Sequence, residues 1–145
     1  MRVVVIGAGE VGFYIAQRLS EEGQDVVVID RNERALQRVA EALDVMTLLG
    51  NGGSARVLEQ VGIKQATMLI AVTQTDEANV IACMLAKKFG VAKTVARVRG
   101  DDFGDRDNLL SNEELGIDLT INPERVVARE IIKLLKTPAA TEVDY

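Results

Sequence analysis

The sequence predicts an α/β domain: one doubly wound sheet of six parallel strands, order 3-2-1-4-5-6, with helices on both faces. Three observations carry that expectation. Short apolar runs such as Val3-Val4-Val5-Ile6 and Val26-Val27-Val28-Ile29 alternate along the chain with segments of helical periodicity. The runs are continuously apolar, so both faces of each strand have to be covered, which marks a parallel sheet. Right-handed crossovers through the intervening helices then wind the sheet outward in both directions from its first strand.

The first strand runs straight into Gly7-Ala8-Gly9-Glu10-Val11-Gly12. A helix from about Glu10 to Glu22 follows, with Val11, Ile15, Ala16 and Leu19 on one face, and Gly23 closes it. The second strand stops on Asp30. A helix over Glu33 to Leu43 buries Leu36, Val39, Ala40 and Leu43, and the third strand, Val45 to Leu49, empties into Gly50-Asn51-Gly52-Gly53. Ser54 is a good N-cap for a helix ending by Gly62. Met68 to Val72 is the fourth strand. The spacing Thr73-x-x-Asp76 resembles a capping box for a helix from Asp76 to about Phe89. Thr94 to Val98 is the fifth strand, followed by an acidic loop, a short helix near Leu109 to Leu115, and a sixth strand, Leu119 to Ile121. Asn122-Pro123 starts the last helix, which runs to about Lys136 before Thr137-Pro138 stops it.

Strand, glycine turn, helix, strand and acid, in that order, form the Rossmann-like layout of a dinucleotide-binding unit. Gly7 allows the tight turn, Gly9 leaves no Cβ between backbone and pyrophosphate, and Gly12 lets the helix lie close on the strand. The N-terminus of that helix offers free N–H groups and partial positive charge to phosphate. Asp30, 18 residues after Gly12, is placed to accept both hydroxyls of an adenosine ribose.

Composition removes several classes. At 145 residues the chain has the size of one domain. A net charge of −5 argues against a nucleic-acid partner, which needs a basic face. No apolar run approaches the roughly 18 residues of a membrane span, and Met1-Arg2 leads directly into a strand without a secretion signal. The single Cys83 cannot form an internal disulfide and reads as core beside Ile81, Met84 and Leu85. There is no histidine, so the commonest general base and metal ligand are both missing.

Ligands in such sheets bind at the carboxyl ends of the strands where the order reverses. That rule brings together the Gly7–Gly12 turn, Asp30, Asn51, Gly52, Thr73 and Gln74. Asn51 either reaches an adenine edge, with Gly52 permitting close approach, or only shapes its turn. Thr73 either bonds phosphate or the second ribose, or caps the following helix. Arg97 and Arg99, two apart and so on one face of their strand, meet phosphate, a neighbouring subunit's carboxylate, or water. The acidic loop, Asp101, Asp102, Asp105 and Asp107, reads as a solvated turn, lacking calcium-loop spacing.

Further motifs follow the glycine hexad: Gly50-Asn51-Gly52 with Val57-Leu58, and Ala71-Val72-Thr73 with Asp76-Glu77-x-Asn79. Ala96-Arg97-Val98-Arg99 and Asn122-Pro123-Glu124 complete the set. On these the chain resembles, over essentially its whole length, the RCK (KTN) family. These are the N-terminal nucleotide-binding domains of TrkA-type regulatory subunits of Trk potassium uptake systems. The resemblance implies a cytoplasmic domain that binds NAD(H), or ATP or ADP in some branches, does no chemistry, and controls a membrane potassium channel or transporter. Nucleotide contacts then fall on Gly7, Ala8, Gly9, Glu10, Val11, Asp30, Thr73, Gln74 and Arg97. Glu10 stands where ATP-holding relatives tend to carry arginine, which favours NAD(H). Asp30 disfavours a 2′-phosphate, while Arg31 beside it works the other way.

The family further implies that residues 1–136 form the nucleotide domain and that 137–145 cross towards a second, C-terminal lobe. It implies a homo-oligomer, at least a dimer and in the family a ring of dimers, peripheral on the inner membrane face through its transporter partner. The last helix, with Val126, Val127, Ile131, Ile132, Leu134 and Leu135, carries more apolar surface than one sheet face is expected to cover. The competing class is the coenzyme-binding half of an NAD-dependent oxidoreductase, disfavoured because no His and no Tyr-x-x-x-Lys pair accompanies the hydride site. A redox-sensing DNA regulator lacks its basic recognition helix.

Overall fold

The computed structural model of the protein describes residues 1–99, 110–121 and 128–136. β1 (Arg2–Ile6), β2 (Asp25–Asp30), β3 (Met46–Leu49), β4 (Ala66–Ala71), β5 (Lys93–Arg97) and β6 (Leu119–Ile121) form one sheet. Its order is β3-β2-β1-β4-β5-β6, as predicted, with every pairing parallel. The helices are α1 (Glu10–Glu21), α2 (Glu33–Ala42), α3 (Ala55–Gln60), α4 (Asp76–Lys88), α5 (Asn112–Leu115) and α6 (Ala128–Lys136). A 3₁₀ turn, Ile63–Gln65, leads into β4.

The continuous apolar strands are buried on both sides because successive side chains point to opposite faces. Val3, Val5, Val26, Val28, Met68, Ile70 and Val95 face one core, closed by Ile15 and Leu19 of α1, Leu36 and Val39 of α2, and Ile131, Leu134 and Leu135 of α6. Val4, Ile6, Val27, Ile29, Leu69 and Ala71 face the other, closed by Leu58 of α3, Val80, Cys83 and Ala86 of α4, and Leu115 of α5. Part of the apolar face of the last helix is covered within the chain itself. Ile131, Leu134 and Leu135 are buried against the chain's own sheet and α1. Val126 and Val127 lie outside the described residues, as do Asn122-Pro123, the acidic loop and 137–145.

Local chemistry sets most helix ends. Ser54 Oγ accepts from the Val57 N–H and Asn32 Oδ1 from the Ala35 N–H. Ser111 and Glu114 form a reciprocal capping box on α5. α1 closes with Gly23 N–H to Ser20 O and Gln24 N–H to Leu19 O, both 3.0 Å. The predicted box at Thr73-x-x-Asp76 is not formed. Thr75 occupies the N-cap of α4, with no side-chain cap bond, and Thr73 stays in the loop before it.

Cys83 is fully buried on α4, its thiol directed at the Val95 carbonyl 3.5 Å away. Burial pushes this thiol up to about 12, with Asp118 adding to the effect. We therefore expect a disulfide reagent such as DTNB to leave the folded chain unlabelled at pH 8 and to titrate one thiol in denaturant. Stoichiometric labelling of the folded chain would contradict that placement.

Lys93, at the start of β5, is buried and donates its Nζ to the carbonyls of Leu134 (2.5 Å) and Leu135 (3.3 Å). These are among the last carbonyls of α6, which have no partners within their own helix. A cation there also complements the helix dipole.

Candidate functional site

β1 sends the chain to α1 on one face of the sheet, and β4, its neighbour, sends it to α4 on the other. A crevice of about 630 Å³ lies at that divergence, at the carboxyl ends of the strands, within the range of about 300–1,000 Å³ usual for small-molecule sites. Of the residues predicted for the site, Gly7, Gly9, Glu10, Val11, Asp30, Arg31, Asn51, Gly52, Thr73, Gln74 and Arg97 line it. Ala8 is fully buried beneath, and contributes its backbone N–H.

Each glycine of the first turn meets a different constraint. Gly7 has φ +116°, a conformation that side chains resist, and a Cβ there would lie 3.0 Å from the Val72 backbone. Its N–H donates to Ile29 O at 2.8 Å. A Cβ on Gly12 would fall 1.8 Å from the Gly7 carbonyl oxygen, so the helix sits on the turn at a distance only glycine permits. A Cβ on Gly9 would meet no atom of the protein within 4 Å. The space before Gly9 is open crevice, and Gly9 caps α1 with no side-chain acceptor on the helix's first N–H groups.

Asp30 ends β2 and does more than the sequence suggested. Its Oδ2 accepts from the Ala8 N–H at 2.6 Å and its Oδ1 from the Asn32 N–H at 2.7 Å. The carboxylate thus braces the glycine turn from the neighbouring strand. A carboxylate has about four lone-pair sites, so two remain for a ribose.

Asn51 Oδ1 accepts from the Gly53 N–H at 2.8 Å, which makes the residue a builder of its own turn. The close approach at Gly52 is made by Ile6, whose Cγ2 would lie 2.2 Å from a Cβ. That glycine is therefore a packing position whose backbone also faces the crevice.

Arg97 and Arg99 both line the crevice, as the two-residue spacing predicts, but differ in setting. Arg99 is exposed, and its backbone N–H donates to the Asp76 carboxylate at 3.1 Å. Arg97 is only 7% exposed. Its Nη1 reaches the Thr73 carbonyl at a long 3.5 Å, and its Nε has no partner among the described residues. A buried guanidinium with an unspent N–H is costly unless an acceptor reaches it. An anion bound in the crevice would supply one.

Sequence reasoning passed over Asn79. It lies fully buried under the crevice floor and bonds both Thr73 and Arg97. Its place in the Asp76-Glu77-x-Asn79 motif was the only signal. Among the described residues no cluster of three or more His, Cys, Asp or Glu is placed to hold a metal ion, and no helix is long and apolar enough to cross a membrane.

The TrkA-N domain family profile matches residues 3–123. "Trk system potassium uptake protein trkA homolog 1" of Methanosarcina mazei is 43% identical over 151 residues, covering 99% of this chain and 36% of that protein. The chain thus spans about a third of the length of the curated relatives it matches. Among solved structures, the TrkA-N domain of inner membrane protein ybaL from Escherichia coli superposes with a TM-score of 0.72 at 21% identity, covering 93% of this chain and 96% of that one. The GsuK channel bound to NAD superposes at 0.66 and 15% identity, over 83% of this chain and 21% of that one. With the profile over most of its length and a 43% identical relative over nearly all of it, this chain belongs to the TrkA-N domain family.

Proposed function

We propose that this chain is the NAD(H)-binding regulatory unit of a potassium uptake system. The observation that carries the nucleotide reading is the crevice itself. It joins open space before Gly9, an α1 N-terminus without side-chain caps, and Asp30 with two lone pairs to spare. Arg97 adds the unspent N–H. Gly7, Ala8, Gly9 and Val11 take the pyrophosphate, Asp30 the adenosine ribose, and Thr73 and Gln74 the far half, with Asn51 and Gly52 flanking the adenine. Glu10 lines the crevice in the first turn of α1, where its charge opposes a third phosphate and so ranks ATP below NAD(H).

The potassium reading rests on the relatives' names, and the whole system is part of the proposal. Residues 1–136 are the nucleotide domain, and 137–145 lead to a C-terminal lobe that the longer relatives have room for. Two or more copies pair, and the assembly sits on the cytoplasmic side against a membrane channel or transporter. The nucleotide acts as a signal. It shifts the assembly only by binding two arrangements unequally. The described crevice lining includes no His, Cys, Tyr or Lys to move a proton beside a hydride.

Mass spectrometry of the purified chain, denatured to release what it holds, together with NADH titration calorimetry, tests this. We expect NAD(H) to be retained or to bind saturably, and no NADH oxidation with aldehydes, ketones or 2-oxo acids. Absence of binding overturns the nucleotide reading, and saturable turnover moves the chain to the oxidoreductases.

A further inference from the structure

We propose that Asn79 is a positioning residue that fixes the polarity of the crevice at its β4–β5 end. Through it, Thr73 meets the ligand as a hydrogen-bond acceptor and selects a sugar hydroxyl over a phosphate oxygen. The inference rests on the nucleotide reading above and assigns one end of the site to one part of the ligand.

Asn79 lies at the end of the first turn of α4 and is fully buried. Its Oδ1 accepts from the Thr73 N–H at 2.9 Å and from Thr73 Oγ1 at 2.7 Å. Its Nδ2 donates to the carbonyls of Thr73 at 3.0 Å and Arg97 at 2.8 Å. The backbone partners settle which way the amide faces. An N–H only donates and a carbonyl only accepts, so Oδ1 must meet the Thr73 N–H and Nδ2 the two carbonyls. One side chain thereby splices the ends of two strands beneath the crevice.

That orientation decides what the Thr73 hydroxyl has left to offer. A hydroxyl carries one proton and two lone pairs. The proton is directed to Asn79 Oδ1, with the Thr75 carbonyl at 3.2 Å as the other acceptor in reach, so the protein takes it either way. One lone pair accepts the Thr75 N–H at 3.2 Å. Thr73 lines the crevice with one lone pair and no proton. Pyrophosphate oxygens carry no hydrogen to give it, whereas a ribose hydroxyl does. The sheet order runs β2, β1, β4. With the adenosine ribose at Asp30 and the pyrophosphate at the glycine turn, the second ribose of a dinucleotide is the group that reaches β4.

ADP and ADP-ribose differ by that second ribose, so their affinities for the 145-residue chain, measured by calorimetry alongside NADH, read the assignment. We expect ADP-ribose to bind more tightly than ADP. Thr73→Val should lower that ratio about tenfold, the loss of one hydrogen bond, and Thr73→Ser should restore it. Asn79→Ala leaves the Thr73 proton only the longer Thr75 carbonyl contact at 3.2 Å. The hydroxyl is then less firmly held as an acceptor and the ratio should move in the same direction by less, whereas a merely structural asparagine would weaken both ligands alike. Should Asn79→Ala fail to fold, Thr73→Val decides, because its backbone N–H still satisfies Asn79. A chain that binds NADH but keeps one ratio in wild type and Thr73→Val overturns this assignment alone. A chain that binds none of the three ligands overturns the nucleotide reading beneath it.

Discussion

Gly12→Ala is expected to lower the melting temperature by roughly 10 °C, while Gly9→Ala, three residues away, leaves it within about 3 °C. The difference is one of space. A Cβ on Gly12 would fall 1.8 Å from the Gly7 carbonyl oxygen, a backbone atom that cannot rotate aside. Relief requires α1 to lift from the turn, and its Ile15, Ala16 and Leu19 to lift from the core. Overpacking of that kind costs about 3 kcal/mol, which for a domain near 150 residues is roughly 6–12 °C. Gly9 has φ −74° and ψ −164°, a conformation alanine adopts, and a Cβ there meets nothing within 4 Å. The loss of glycine as N-cap and the gain from a stiffer unfolded chain are each under about 1 kcal/mol and oppose one another. The alanine methyl instead fills the crevice, so NADH affinity should fall more than tenfold. Thermal melts followed by circular dichroism separate the pair, and equal melting temperatures would refute the close approach.

Asp30→Ala should weaken NADH binding by roughly two orders of magnitude. Two charge-assisted hydrogen bonds to a ribose are worth about 2–4 kcal/mol together. The structure adds a second loss. Without the carboxylate, the Ala8 and Asn32 N–H groups lose their acceptors at 2.6 and 2.7 Å, and the turn that should carry the pyrophosphate is no longer braced from β2. Asp30→Asn does not rescue this, since its NH₂ must face one of two donors. The two deficits divide by ligand. A pyrophosphate without adenosine should feel only the slackened turn, and NADH should feel both. Calorimetry showing unchanged NADH affinity in Asp30→Ala would remove Asp30 from the site.

Most of the fold was legible because parallel strands write their burial into sequence as unbroken apolar runs, and because glycines and N-caps punctuate the helices. The strand order followed from right-handed crossovers taken together with the doubly wound layout of dinucleotide-binding sheets. Legibility failed where a side chain's partner is distant along the chain or has competitors. Thr73-x-x-Asp76 has the spacing of a cap, yet the Thr73 hydroxyl is held by Asn79, six residues on, and Thr75 takes the cap position. Asn79 in turn bonds Arg97, 18 residues away, a contact that no local pattern encodes. Gly52 reads as room for a ligand, whereas the room is occupied by Ile6 from β1.

β5 joins two contacts that lie at its opposite ends. At its carboxyl end, Arg97 is tied through Asn79 to the end of β4. At its amino end, Lys93 grips the closing carbonyls of α6. Between them runs a strand of five residues, buried along its whole length, whose first and last residues are four steps of 3.3 Å, about 13 Å, apart. Close-packed interiors compress little and pass strain on. β5 is therefore a strut: it holds the tie at Arg97 and the tie at the foot of the last helix at one fixed spacing.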